Sequence, residues 1–311
     1  MTRMLIAGGL ALIALAGCSA PLDAPTQPGV DVITAAPGAP PVGGFFPLTA
    51  GNYWRYARES RIWVVPADGS EPFLIAENTS SEREIICVDP RGGVDYYATR
   101  VTEVWPGGSR VWWIRSRQSA AGLFVLGADS DVPPPCALPD EPAHATASRP
   151  TRSDALETFL AARPDAERAA YRRALASLDE RRAMVHAVID PTPVAFLPGA
   201  ARPGEGTLLR YPLTPKRSWL VYAGLGFRIA AQVEGFDLLV LPPGPLECYR
   251  IRHIVPGFGP DDRAHLWYGP AGYLQSETHF TATAHDHEGR PYGRIISDER
   301  ERLVQMSRQG P

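Results

Sequence analysis

Four histidines near the carboxyl end of the chain are the residues whose type and spacing could most directly support metal chemistry. With two neighbouring carboxylates, the group consists of His265, His279, His285, His287, Asp286 and Glu288. His285 and His287 would lie on one side of an extended strand, where two imidazoles can bind one metal ion. The segment continues into Gly289, however, and its polar composition is typical of a hairpin loop. The sequence favours the loop, so it predicts no metal site there.

No catalytic motif with a known mechanism occurs elsewhere in the sequence. It has no Gly-x-Ser-x-Gly nucleophile elbow, no Gly-x4-Gly-Lys-Ser/Thr phosphate loop and no His-Glu-x2-His helix. The neighbouring carboxylates Asp261-Asp262 and Asp298-Glu299 fall in predicted loops or solvated ends of strands. We therefore expect no catalytic residue and no cofactor. The alternative is a hydrolytic or metal-dependent envelope enzyme that uses residues 279–288.

Three cysteines, Cys87, Cys136 and Cys248, lie beyond the amino-terminal segment. Cys87 and Cys248 fall in strand-like sequence, where a cysteine is often a buried apolar residue. Cys136 lies in a proline-rich segment that could reach a partner, so a Cys87–Cys136 disulfide is a hypothesis for an oxidising compartment. No Cys-x2-Cys spacing supports zinc binding or thioredoxin-type chemistry.

The amino-terminal segment predicts where the protein is located. Arg3 precedes an uncharged run, Met4–Ala16, which is too short to span a bilayer and has the length of a signal-peptide hydrophobic region. The run ends in Leu15-Ala16-Gly17-Cys18, which resembles the lipobox of bacterial lipoproteins. The resemblance implies that residues 1–17 are removed and that Cys18 carries acyl chains such as palmitate. An ordinary secretory signal, in which Cys18 is incidental, is the other interpretation.

Ser19, and not an aspartate, follows the lipobox cysteine. By the sorting rule of enteric-type lipoproteins, this residue implies the outer membrane, and we expect its periplasmic face. Residues 18–44 contain six prolines and no aromatic residue. Such a segment cannot bury enough apolar surface to fold, so it predicts an extended tether between the membrane lipid and the rest of the chain.

The charge of the chain excludes one class of partner. The formal net charge is −3 at pH 7, from 31 basic and 34 acidic residues, and 44% of the residues are hydrophobic. This composition is typical of a globular protein. It predicts no basic surface for nucleic acid, so we expect no nucleic-acid partner.

One motif occurs twice, 165 residues apart. Phe46-Pro47-Leu48-Thr49 is followed by Trp54, and Tyr211-Pro212-Leu213-Thr214 is followed by Trp219. We infer two related β-rich halves, residues 45–135 and 205–306, followed by a tail of residues 307–311.

Short strand-like runs fill both halves at a spacing of about ten residues, with Gly- and Pro-containing turns between them. This pattern predicts a mainly β protein, a β-rich α+β fold, with two antiparallel halves that form a curled sheet or half-barrel. Lys216-Arg217 stands in the second copy of the motif where the first has Gly51-Asn52, so we expect the two turns to differ.

A helical insertion is predicted between the halves, within the linker 136–204. Residues 153–189 carry apolar side chains at helical spacing with one narrow apolar face, and Pro164 interrupts the pattern. We interpret the insertion as a hairpin of helices on the surface. A lid over a barrel mouth, or a docking surface, is the alternative.

The repeated motif resembles that of uncharacterised bacterial envelope lipoproteins, whose elements read PLxxGxxW and, later, WYxxxGxL. The matching positions are Pro47, Leu48 and Trp54, their repeat Pro212, Leu213 and Trp219, and the later Trp267, Tyr268 and Gly272. These residues are structural. The resemblance implies a lipid-anchored, non-enzymatic module that binds a small apolar ligand or an envelope protein. A structural accessory subunit of an envelope complex is a further alternative.

Overall fold

Strands with one buried and one exposed face dominate the computed structural model, which describes residues 32–33, 48–91, 94–129, 154–189, 206–224, 227–255 and 257–309. The strands are β1 (Val32–Ile33), β2 (Tyr53–Pro66), β3 (Phe73–Arg91), β4 (Val94–Trp105), β5 (Gly108–Ser119), β6 (Gly122–Asp129), β7 (Gly206–Arg210), β8 (Ser218–Gly224), β9 (Phe227–Leu241), β10 (Gly244–Ile254), β11 (Arg263–Gly269), β12 (Gly272–His285) and β13 (Pro291–Ser307). The helices are α1 (Asp154–Ala161) and α2 (Asp165–Ile189). The predicted fold class is confirmed.

The strands of the described residues belong to one antiparallel sheet. Their order is β1-β9-β10-β11-β12-β13-β2-β3-β4-β5-β6-β7, and β8 also pairs with β9. The sheet curls into a nearly closed barrel, so the predicted curled sheet is confirmed. At the seam, where β7 approaches β8, the indole N–H of Trp219 donates a hydrogen bond of 3.0 Å to the carbonyl of Thr207.

The alternation along β2 defines the inner and outer faces of the barrel. Trp54, Tyr56 and Ile62 are buried together with the other residues of the same parity, and the residues that alternate with them are more exposed. Because successive side chains of a strand point to opposite faces, the buried set faces the interior. The outer face carries paired charges, such as Arg302 and Glu59 at 3.1 Å. The hydrophobic core therefore lies inside the curled sheet.

The two predicted halves are joined within this single sheet. Strand β13 pairs with β2 along its length, from Gly293 opposite Pro66 to Ser307 opposite Tyr53. In the segment predicted as a tether, β1 pairs with β9 opposite Leu238 and Leu239. The predicted signal peptide, the lipobox Leu15-Ala16-Gly17 with Cys18, and Pro47 and Cys136 lie outside the described residues. The predicted domain boundaries stay predictions.

The helices pack into the core of the barrel. Leu160, Tyr171 and Leu178 are buried in the same hydrophobic cluster as the inward-facing strand residues. Tyr171 donates a hydrogen bond of 3.0 Å to the carbonyl of Tyr292 at the start of β13. Further along α2, His186 contacts Glu299, which lies seven residues beyond Tyr292. Helix α2 therefore packs one face against the inner side of the sheet, and Arg172, Arg173 and Glu180 on its other face are exposed.

The insertion was interpreted as a hairpin of helices on the surface, and both helices do keep an exposed face. A lid and a docking surface stay predictions. The polar side of α2 contains Arg181 and Arg182, which the sequence suggests are solvated, but both pair with carboxylates of the sheet. When a carboxylate lies opposite, its hydrogen bonds to the guanidinium group can take the place of hydrogen bonds to water.

Among the described residues, no helix is long and apolar enough to cross a membrane.

The two motif turns have the same backbone hydrogen bonds, although we expected them to differ. The N–H of Gly51 donates to the carbonyl of Ile85 at 2.7 Å, and the N–H of Lys216 donates to that of Val233 at 2.7 Å. In both turns the carbonyl of the next residue accepts a hydrogen bond from the same strand residue: Asn52 from Ile85 at 3.0 Å, and Arg217 from Val233 at 2.9 Å. Lys216 has φ of 67° and Gly51 has φ of 83°. The lysine therefore adopts the left-handed conformation that glycine has in the first copy.

Candidate functional site

A polar groove of about 690 Å³ lies on the outer face of the barrel, where β9 to β13 meet the connection between β10 and β11. The strand register brings its side chains together. Arg252 pairs with His265 across β10 and β11, and Arg263 pairs with His279 across β11 and β12. Because directly opposite residues share a face of the sheet, these four side chains point the same way. Residues scattered along the sequence thus form one surface.

The connection between β10 and β11 forms one wall of the groove, and Asp262 holds it in place. This buried carboxylate accepts hydrogen bonds of 2.8 Å from the N–H groups of Gly259 and Thr281. It also pairs with Arg181 of α2, whose guanidinium donates to the carbonyl of Thr281 at 2.8 Å. The side chains of Asp262 and Arg181 thereby bind the N–H and the carbonyl of Thr281, which lies on β12 beyond the last residue that pairs with β11. Pro260 and Asp261 are fixed against the strands as a result.

Three arginines that line the groove, Arg252, Arg263 and Arg294, carry exposed side chains. We call them the groove arginines. Within the described part of the chain, none of the three has an ion pair or a hydrogen-bonded partner. Other arginines of the outer face are paired, as Arg300 is with Glu277 at 2.6 Å. The groove therefore presents guanidinium groups that are free to bind an anion.

Two histidines of the predicted cluster line the groove and contact carboxylates. His265 Nε2 lies 3.1 Å from Glu234, and His279 Nδ1 lies 2.6 Å from Asp298. Burial lowers the pKa of His265 below its ordinary value, although the Glu234 charge opposes that shift. The imidazole of His265 is therefore neutral at neutral pH. The positive charge of the groove comes from the groove arginines.

The other two histidines belong to the hairpin between β12 and β13. His285 Nδ1 lies 3.1 Å from the carbonyl of Gly289, and Asp286 accepts hydrogen bonds of 2.8 Å from the N–H groups of Glu288 and Arg290. Among the described residues, no group of three His, Cys, Asp or Glu side chains is arranged to hold a metal ion.

A second polar cluster crosses the interior of the barrel, and we call it the ionic belt. It consists of Arg58, Arg83, Glu103, Arg182, His186, Glu299 and Glu301. Glu301, whose side chain is 1% exposed, accepts hydrogen bonds from Arg58 at 3.0 Å and from Tyr273 at 2.9 Å. Glu299 lies 2.9 Å from both Arg182 and His186. The belt therefore joins α2 to both halves of the sheet.

The electrostatics of the belt keep its carboxylates charged. Burial alone would raise the pKa of Glu299, but His186, Arg58 and Arg182 hold it well below its ordinary value. The pKa of Glu301 is also lowered, since Arg58 and Arg83 outweigh its burial. Because each charge has a partner, the belt is a structural connection between α2 and the sheet.

The motif residues within the described range occupy structural positions. The Trp54 indole donates to the carbonyl of Ala271 at 2.8 Å, and the Trp267 indole donates to Asp237 at 2.8 Å. Leu48, Leu213 and Tyr268 are buried in the core, and Gly272 has a positive φ in the turn between β11 and β12. These contacts fix turns and strand ends, and none of them lies in the groove.

The cysteines have different environments. Cys87 is disulfide-bonded, whereas Cys248 is a buried free thiol. Burial raises the pKa of Cys248 well above its ordinary value. The pairing of Cys87 with Cys136 stays a prediction, because Cys136 lies outside the described residues.

Sequence reasoning missed the ionic belt, and of the groove it singled out His265, His279 and the pair Asp261-Asp262 but not the arginines. For the belt, a signal existed: Arg58 has the same parity along β2 as Trp54 and Tyr56, so period-two alternation puts it on the buried face. For the groove arginines no such signal exists, because they come from three separate strands. Only the register of β10 to β13 brings them together.

The sequence matches no protein-family model and no curated protein. Among solved structures, it is similar to a "putative lipoprotein" from Parabacteroides distasonis ATCC 8503, with a TM-score of 0.31 and 12% identity over 85% of this chain and 98% of that one. It is also similar to a "putative exported protein with YmcC-like fold" from Bacteroides fragilis NCTC 9343, with a TM-score of 0.34 and 10% identity over 85% and 99% of the two chains. Likeness at this level assigns neither a family nor a function.

Proposed function

We propose that the protein is a lipid-anchored lipoprotein of the bacterial envelope and a non-enzymatic binding module whose binding site is the outer groove. The protein is anchored through Cys18 and lies at the periplasmic face of the outer membrane. The observation that carries the binding role is the set of groove arginines, which have no partner in the described part of the chain. Exposed guanidinium groups gathered in one concave surface are suited to hold an anionic group of a ligand or protein.

The described interior argues against an apolar ligand at its centre. Leu175, Leu178 and Val185 of helix α2 belong to the buried cluster on the inner side of the sheet, and the ionic belt lies on the same side. An apolar ligand would have to displace packed side chains and leave buried charges without partners, which is costly. The outer groove is open without any such rearrangement. A partner that binds there needs a polar, anionic surface.

Two measurements test this proposal. The first is expression of the full chain in a diderm bacterium, with Cys18→Ser as the matched variant. We expect the parent chain to incorporate labelled palmitate and to fractionate with the outer membrane, and the variant to do neither. Equal labelling or equal fractionation of both chains would refute the anchor.

The second measurement is native mass spectrometry of the protein purified from envelope extracts in an uncharged detergent. A variant with glutamine at all three groove arginines is compared with Arg300→Gln, which removes a paired arginine of the same outer face. We expect a bound species that is absent only from the groove variant. Retention of that species by the groove variant, or its absence from the parent chain, would refute the groove as the binding site.

A further inference from the structure

We infer that the groove binds a ligand that carries two phosphate groups, one held by Arg252 and Arg263 together and the other by Arg294. The inference rests on the proposed function, because it names the chemical class that the groove takes. Its basis is the position of the groove arginines on the register of the sheet, together with the charges around them.

Arg252 and Arg263 are placed to share one anionic group. Arg252 lies directly opposite His265, and Arg263 precedes His265 by two residues on β11. Diagonal neighbours of this kind have Cβ atoms about 7–8 Å apart, within reach of two long side chains. A guanidinium group donates in a planar fork to two oxygens. Two guanidinium groups therefore suit a phosphate, which has more acceptor oxygens and more charge than a carboxylate.

Arg294 lies at the far side of the groove. Arg263 lies opposite His279 on β12, and His279 lies opposite Asp298 on β13. Arg294 is four residues from Asp298 along β13, so it is two strands and four residues away from Arg263. Strand spacing and rise put the two Cα atoms about 16 Å apart. Extended arginine side chains leave room between their ends for one sugar-sized or glycerol-sized unit. Thr281 and Ile296 line the groove between them and offer a hydroxyl and an apolar surface to that unit.

The carboxylates of the groove leave its net charge positive. Glu234 lies 3.1 Å from Arg250, and Asp262 pairs with Arg181. Each of these carboxylates is thus neutralised by an arginine that is not a groove arginine. Asp261 is the remaining acidic residue of the lining, against three groove arginines. A dianionic group therefore encounters an attractive field from the groove.

The test is calorimetric titration of the mature chain, residues 18–311 with Cys18→Ser, purified after export. The probes are fructose 1,6-bisphosphate and fructose 6-phosphate. We expect the bisphosphate to bind about tenfold more tightly, since the second arginine contact adds at least about 1.4 kcal/mol. Arg294→Gln should remove that difference, Arg263→Gln should weaken both probes, and Arg300→Gln should change neither. Equal affinities of the two probes, or an equal loss with Arg300→Gln, would overturn the inference.

A second arm identifies the source of the phosphates. Phosphatidylcholine vesicles with and without cardiolipin, whose two phosphates share one glycerol, compete with the bisphosphate. Competition by cardiolipin vesicles alone assigns the ligand to a lipid headgroup, and no competition assigns it to a soluble phosphorylated sugar. If no phosphate probe binds while the species seen by native mass spectrometry still depends on the groove arginines, the ligand class is wrong and the proposed function stands. If that species is also independent of the groove arginines, both fail.

Discussion

His253 is a fully buried imidazole on the inner face of β10, and among the described residues its Nδ1 atom has no hydrogen-bond partner. Burial lowers its pKa from 6.5 to about 3, and the nearby His265 adds to that shift. The folded state therefore binds fewer protons than the unfolded state between these values. The contribution of His253 to the free energy of unfolding is fully present above about pH 6.5 and is lost as the pH falls toward 3.

The first prediction concerns this pH dependence. Between pH 6 and pH 5, the free energy of unfolding should fall by about 1 kcal/mol because of His253 alone. His253→Gln should remove that part of the slope, whatever its effect on stability at pH 7. Urea unfolding at several pH values measures the slope, and this interval lies above the range in which Glu299 and Glu301 titrate. An unchanged slope in the variant would contradict the assignment.

The second prediction compares the two motif turns. Lys216 is exposed and has a positive φ, which costs an L-residue about 1–2 kcal/mol relative to glycine before chain entropy is counted. Lys216→Gly should therefore raise the free energy of unfolding by about 0.5–1 kcal/mol. Gly51→Ala should lower it, both through φ and because the new Cβ would lie 2.8 Å from Gln309 Cγ. Opposite signs for the two substitutions are required, and equal signs would show that the turns are not equivalent.

At the scale of elements, α2 is held in the barrel by charge as well as by apolar packing. Its apolar positions at helical spacing were visible in the sequence. The role of Arg181, Arg182 and His186 was not visible, because it depends on which carboxylates face inward from β13 and from the connection between β10 and β11. Helix propensity and spacing locate an amphipathic helix, but they do not identify the surface that it packs against. The groove was unpredictable for the same reason.

The third prediction tests the connection between α2 and the sheet. Glu299→Gln keeps the shape of the side chain but leaves Arg182 and His186 without their anionic partner. We expect a loss of about 3 kcal/mol of unfolding free energy and faster hydrogen exchange throughout α2. Glu59→Gln is the matched control, because Glu59 pairs with Arg302 on the solvated face and its loss should cost less than about 1 kcal/mol. If both variants lose the same stability, the buried pair does not hold the helix.

The pKa of Glu299 gives the same prediction a pH dependence. Because the folded-state pKa lies well below the ordinary value of 4.5, the contribution of Glu299 is present above about pH 4.5 and is lost as the pH falls through the lowered value. Glu299→Gln should therefore flatten the acid limb of the stability profile, while Glu59→Gln should leave that limb as it is.

At the scale of the whole molecule, the sequence predicted the class of fold because strand alternation and turn composition are local signals. It also predicted a curled sheet, because a meander of many strands must twist and curl. It did not predict the continuity of the two halves. That continuity depends on the pairing of β13 with β2, strands more than two hundred residues apart, and no local pattern specifies such a partner. The duplicated motif instead drew attention to each half separately.

The last prediction follows from this continuity. Glu301 of the second half depends on Arg58 and Arg83 of the first, and β13 pairs with β2. The isolated fragment 205–311 would therefore have an unpaired strand edge and an unpartnered buried carboxylate, both of which are unfavourable. We expect neither fragment 45–135 nor fragment 205–311 to unfold cooperatively on its own, whereas the chain 45–311 should do so in a single transition. Circular dichroism during urea titration makes the comparison. A cooperative transition in either fragment would mean that the duplicated unit is itself a folding unit, and that the belt and the shared strand edge were added to halves already stable on their own.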